Sequence, residues 1–128
     1  MRLLFTNAGN APSNNLARSL RTDGEAVFIA GCNDDQFVLK KSDADKNYLV
    51  PPSDHPEWAG ALRRIIEAEK LNIVIPTVDS DVHDLSRARR QLGKHLFLPR
   101  ESVIDTCRDK YKLIALLRRR PWARAPAR

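Results

Sequence analysis

The 128 residues carry 22 Lys and Arg against 16 Asp and Glu, a net charge of +6, and the excess sits at one end. Residues 108–128 hold eight basic side chains and one acid, while residues 1–107 hold 14 basic and 15 acidic ones. A chain of this length makes one domain, long enough to bury a core but short for an enzyme that must enclose two substrates; a near-neutral body with a basic tail excludes a folded basic face for specific nucleic-acid recognition and leaves only nonspecific, salt-sensitive binding of polyanions by the tail.

Cys32 and Cys107 stand far apart with no CxxC spacing, as expected of reduced cysteines in or near a core. The apolar stretch Leu3-Leu4-Phe5 is too short for a signal peptide, and no run reaches transmembrane length, so the expected setting is the cytoplasm, without a membrane partner.

Arg2 to Asn7 reads as a first buried strand, followed by the turn Ala8-Gly9-Asn10-Ala11-Pro12-Ser13. A helix is expected from Ser13 or Asn14, with Leu16, Ala17 and Leu20 inward and Asp23-Gly24 as its stop. Ala26–Ala30 makes a second strand, and strand, helix, strand within about thirty residues is a right-handed βαβ unit. Two explanations of the first turn stay open. Its amides and helix N-terminus can hold a phosphate or carboxylate, or Gly9 supplies a positive φ and Ser13 a cap. Three set glycines would mark a dinucleotide site, and only Gly9 is present. Asn33-Asp34-Asp35 ends the second strand, where a ribose-binding acid lies in a Rossmann domain.

Gln36–Lys46 is polar and reads as a short helix or ordered loop; Asn47–Val50 is a short strand ended by Pro51-Pro52. A helix is expected to open at Ser53 or Asp54, with Glu57 completing a near capping box and Trp58, Ala61, Leu62, Ile65, Ile66 and Ala68 as its apolar face.

The stretch Asn72–Gly93 combines a buried strand, Ile73-Val74-Ile75, with an acidic turn and a helix. Thr77, Asp79, Ser80 and Asp81 fall where the strand ends and the helix begins, the crevice in which open α/β sheets bind ligands. Capping by Asp79 or Ser80 and a favourable macrodipole explain the same residues without chemistry. Gly93 is placed to end the helix in a left-handed cap. His83 has no second histidine or cysteine at ligand spacing, which argues for a surface side chain over a metal ligand. His95–Leu98 reads as a last strand, Pro99 as the start of a brief helix through Ile104, and Asp109–Leu117 as a further helix. Residues 118–128 lose all periodicity and read as a disordered basic tail of Ala, Arg and Pro with one Trp.

Four stretches, LLFTNAGN, SDADKNYLVPP, NIVIPTVDSDVHDLSRARRQLG and LPRESVIDTCRDKYKLIALL, together resemble the N-terminal, pre-ATP-grasp domain of ATP-grasp carboxylate–amine ligases, the group that includes carbamoyl-phosphate synthase large subunits and biotin carboxylase. The Asp109-Lys110 pair is the most specific feature, because such a pair opens the helix leading into the ATP-grasp domain proper. The resemblance covers roughly residues 2 to 117 and implies an α/β, Rossmann-like, doubly wound domain with a parallel sheet of about five strands, the first central, the third and fifth at the edges. It also implies domain limits of 1–117 with a tail at 118–128.

In that family the domain walls the cleft for a small carboxylate or amine substrate through the turns after its first and fourth strands. Carried over, Gly9, Asn10, Thr77, Asp79 and Asp81 are the substrate-binding candidates. The family's ATP and Mg are held by the ATP-grasp subdomains, so no cofactor, metal or catalytic residue is expected here. The glycine turn and proline that end the family's helix are replaced by Arg118-Arg119-Arg120-Pro121-Trp122. The resemblance therefore implies a truncated or frameshifted substrate-side domain, inactive alone, with a separate ATP-grasp chain or a second copy of itself as partner. The competing expectation is a small-ligand or nucleotide-binding Rossmann module, or an interaction protein, using Gly9 and the Asn33-Asp34-Asp35 turn.

Overall fold

A computed structural model describes residues 1–119 of the chain. Residues 120–128, most of the expected tail, lie outside the described residues. The chain packs as two compact units divided between Phe97 and Leu98. The first contains a four-stranded parallel sheet in the order β3-β2-β1-β4, formed by β1 (Arg2–Phe5), β2 (Phe28–Asn33), β3 (Lys46–Leu49) and β4 (Ile73–Ile75).

Helix α1 (Ala11–Thr22) carries the chain from β1 to β2 in one direction across the sheet, and α3 (Trp58–Glu69) carries it from β3 past β1 to β4 in the other. Right-handed crossovers in opposite directions put these helices on opposite faces, so the sheet is doubly wound. Leu3 and Phe5 join Ile29 and Ala17 in one core layer, with Leu16, Leu20 and Ile75 packed against it. Leu4 alternates to the other face and is wholly buried, as are Leu62 of α3 and Leu85.

Gly31, in β2, lies close beneath the side chains of Ala8, Asn47 and Ala44. A Cβ on Gly31 would meet the Ala8 Cβ at 2.6 Å and the Asn47 Oδ1 at 2.7 Å. Gly31→Ala is therefore expected to lower stability by about 2 kcal/mol, read from urea denaturation. At the other end of the sheet Glu69 accepts the Tyr48 hydroxyl, pairs with Lys46 at 2.8 Å and reaches Arg2 at 3.5 Å. Lys46 above all, then Tyr48, holds its carboxyl below the usual range.

Several expectations are corrected. His95–Leu98 forms no strand: Gly93–His95 is a 3-10 turn, and Phe97 is 93% exposed, so the described sheet has four strands and β4 is an edge. Gly93 is right-handed, φ −47. The helix after β4 breaks at Ala88 into α4 (Asp79–Arg87) and α5 (Arg89–Leu92). Ser53–Glu57 is a turn, stabilised by the Glu57 N–H donating to His55 Nδ1 at 3.1 Å, and α3 begins only at Trp58. Helix α1 starts earlier than expected because Asn10, not Ser13, is its cap: Asn10 Oδ1 accepts the Ser13 N–H at 2.8 Å. Cys32 is buried but Cys107 is exposed.

The short α2 (Gln36–Leu39) follows β2, capped by Asp35. In the second unit α6 (Glu101–Arg108) and α7 (Lys110–Arg118) pack on each other, and Asp109 caps α7 by accepting the Tyr111 and Lys112 amides. No helix among the described residues is long and apolar enough to cross a membrane.

Candidate functional site

The sheet's connections diverge between β1 and β4, so the crevice at the C-terminal ends of those strands is the topological switch point. Its centre is Asp81, in the first turn of α4 and only 4% exposed. The Thr6 hydroxyl donates to Asp81 Oδ2 at 2.6 Å, the Thr77 amide reaches the same oxygen at 3.4 Å, and the Asn7 side-chain amide donates to Oδ1. Thr77 in turn donates its hydroxyl to the Thr6 carbonyl at 2.8 Å, and Asn10 Nδ2 approaches Thr77 Oγ1 at 3.5 Å. One carboxylate thus laces the turn after β1 to the turn after β4. Asp81 sits inside the first turn of α4, where the positive end of the helix dipole favours a carboxylate.

Burial raises the Asp81 carboxyl above the ordinary carboxylate range, against the pull of hydrogen bonds from Thr6, Thr77 and Asn7. Burial also pushes the nearby Cys32 thiol up to about 12, helped by the charge on Asp81. A thiol that stays protonated at neutral pH is no nucleophile.

Next to this network lies a cleft of about 230 Å³. Thr6, Asn7, Asp34, Ser80 and Asp81 are among its walls, as is Trp58, 8% exposed. Asn33 fixes the wall on the β2 side: buried, it donates to the Ala8 carbonyl at 2.9 Å and accepts the Asp35 amide at 3.0 Å. The cleft presents carboxylates, amides and hydroxyls around one aromatic face, a set suited to orienting a small polar molecule.

Of the sequence candidates, the structure brings Asn10, Thr77 and Asp81 into one network. Asp79 stands apart from it, an exposed first residue of α4; neither Asp79 nor Ser80 caps that helix, whose N-cap is Val78 with no side-chain bond. Gly9 is buried at φ +100, and a Cβ there would lie 2.0 Å from the Val38 carbonyl oxygen. The turn that could cradle a phosphate has little left to offer one. The Ala8 amide goes to the Cys32 carbonyl, that of Gly9 to Ser13 Oγ, and that of Ser13 to Asn10 Oδ1.

Sequence reasoning missed Thr6 and Asn7, both read as strand. Asn7 adopts φ +49, a left-handed conformation that asparagine tolerates better than most residues, and an Asn two residues before a turn glycine was the available signal. Ser53, read only as a helix start, and Asp84 also line the cleft.

An open parallel sheet in this order, with a polar cleft at its switch point, defines a doubly wound α/β domain. Solved structures of ATP-grasp enzymes share it. L-amino acid ligase from Bacillus licheniformis superposes with a TM-score of 0.70 at 13% identity, over 92% of this chain and 29% of that one. The biotin carboxylase domain of 2-oxoglutarate carboxylase from Hydrogenobacter thermophilus, a dimer solved with MgADP, ADP and bicarbonate, gives 0.60 at 16%, over 92% and 27%. The biotin carboxylase domain of a single-chain bacterial carboxylase gives 0.56 at 20%, over 92% and 28%. The chain has the fold of the pre-ATP-grasp domain of these enzymes and spans less than a third of their length. No protein-family model matches the sequence, and no curated protein matches it.

Proposed function

We propose that this chain is the substrate-side domain of an ATP-grasp ligase of the carbamoyl-phosphate synthase and biotin carboxylase group. The observation that carries the proposal is the hydrogen-bonded network around Asp81, built from the turns after β1 and β4 of a pre-ATP-grasp fold. In this reading the cleft receives a small carboxylate or amine substrate. Thr77 and Asp81 brace its floor, Gly9 and Asn10 shape the first turn, and Asp79, exposed at the start of α4, is the remaining substrate-binding candidate. ATP and Mg are held by ATP-grasp subdomains; the MgADP bound by the longer Hydrogenobacter neighbour is consistent with ATP and Mg as the complete enzyme's cofactors.

Domain limits of 1–117, a cytoplasmic setting, and inactivity of the chain alone belong to the same proposal. So does completion by a separate ATP-grasp chain or by a second copy of this one; the dimeric biotin carboxylase neighbour supports the second copy. Reading the coding DNA beyond codon 117 in three frames tests whether ATP-grasp subdomains accompany this domain.

The competing Rossmann reading needs free amides in the turn after β1, where those of Ala8, Gly9 and Ser13 are already bonded. Calorimetric titration of the chain with AMP and with NAD separates the two. We expect no saturable binding of either below millimolar concentration; micromolar binding of either would establish the nucleotide module instead.

A further inference from the structure

The cleft beside Asp81 adjoins a second cavity of about 200 Å³, and the two share Ser53, Trp58 and Asp84. They form one groove along α4. Asp81, Asp84 and Arg87 recur at every third residue of that helix, one stripe whose members are each about 4.5 Å further along the axis, and all three line the groove. Its charge is uneven. Among the described residues the cleft end carries Asp34, Asp81 and Asp84 and no Lys, Arg or His, while the other end carries Arg87 and His55, beside Asp54 as well as the shared Asp84.

Asp81 is committed to Thr6, Asn7 and Thr77, but Asp34, Asp84 and Arg87 make no ion pair or side-chain hydrogen bond among the described residues. Acid and base one helical turn apart are placed to pair with each other. Here they stay apart, with opposite charges displayed along one groove that Trp58 lines in both its parts.

The geometry points to a zwitterionic small molecule as the ligand of this groove, its ammonium between Asp34 and Asp84, its carboxylate on Arg87, and its aliphatic part over Trp58. The inference rests on the cleft being the substrate site and narrows the substrate to an amino-acid-like compound. A purely anionic molecule would face the carboxylates at the cleft end with no cation there to offset them, whereas a zwitterion satisfies both ends and gains two charge-assisted contacts.

An NMR titration of the full chain at neutral pH with 4-aminobutyrate, butylamine, butyrate and AMP tests it. We expect 4-aminobutyrate to saturate and to shift the amides of Asp34, Ser53, Asp84 and Arg87, butylamine to bind about tenfold more weakly, and butyrate not to saturate. Asp84→Asn and Arg87→Gln should each weaken 4-aminobutyrate by about tenfold, with Arg87→Gln removing its advantage over butylamine. Neither side chain has a partner to lose, so unchanged melting temperatures confirm that the variants fold. Butyrate binding as well as 4-aminobutyrate, indifference to Arg87→Gln, or no saturation by 4-aminobutyrate would each overturn the inference. Tight AMP binding with zwitterion binding intact would instead overturn the ligase reading and leave this one standing.

Discussion

Gly9→Ala is expected to destabilise the domain by about 4 kcal/mol, a large share of the 5–15 kcal/mol that holds a typical domain folded. Two costs combine. At φ +100 an alanine sits in a region that L side chains rarely adopt, which alone costs about 1–3 kcal/mol. Its Cβ would also be 2.0 Å from the Val38 carbonyl oxygen and 2.7 Å from the carbonyl carbon. These are backbone atoms of α2 itself, unable to swing aside as a side chain would, so the turn after β1 or the helix around Val38 must shift. Urea denaturation followed by circular dichroism measures the loss. A variant within 1 kcal/mol of the parent would mean that the turn relaxes freely, and that Gly9 does not hold the β1 turn against α2.

Asp81→Ala is expected to cost about 3 kcal/mol by the same measurement. The carboxylate accepts from Thr6, Asn7 and Thr77. Thr6 is itself 3% exposed, so its hydroxyl loses its acceptor where water has little access, and a buried donor left unsatisfied costs about 1–3 kcal/mol. The pH dependence has a definite sign. Burial holds the folded carboxyl above its ordinary value, so the folded chain keeps a proton that the unfolded chain has already released. Stability therefore falls as pH rises from the ordinary carboxylate value through the raised one. Asp81→Ala lacks this group. The stability gap between parent and variant should be widest below that window and narrow across it, which a series of urea midpoints from acid to neutral pH would show. A gap that widened instead would mean that the hydrogen bonds outweigh burial.

The strands that bury both faces were legible in the sequence because their side chains say so: Leu3-Leu4-Phe5 and Ile73-Val74-Ile75 are apolar without alternation, as doubly covered strands must be. His95-Leu96-Phe97-Leu98 has similar residue types and forms no strand. A short apolar run becomes a strand only where a neighbour offers a ladder, and that is a property of the tertiary fold rather than of the run. Helix starts went wrong for a related reason. Asp79, Ser80, Ser53 and Asp54 all have capping chemistry, yet the helices begin after Val78 and Glu57, where the path of the chain decides.

At the site, Thr77 and Asp81 could be read from their place after a strand. Their partners Thr6 and Asn7 could not, because nothing within residues 2–10 records that an acid some seventy positions away will need two donors. Asp34, Asp84 and Arg87 carry no local pattern at all; only the packing of β2 and α4 around Trp58 sets them along one groove.

The position of β1 at the centre of the sheet bears on how the domain is made. Its hydrogen-bonding edges are claimed by β2, about 26 residues later, and by β4, about 70 residues later. During synthesis β1, α1 and β2 can associate early, leaving one edge of β1 open until Ile73–Ile75 emerges. Contacts so distant in sequence are slow to form. The Thr6–Asp81 link spans 75 residues, so the cleft can close only after that last strand has docked, and a nascent chain arrested before β4 would expose a bare apolar edge to chaperones or to other chains.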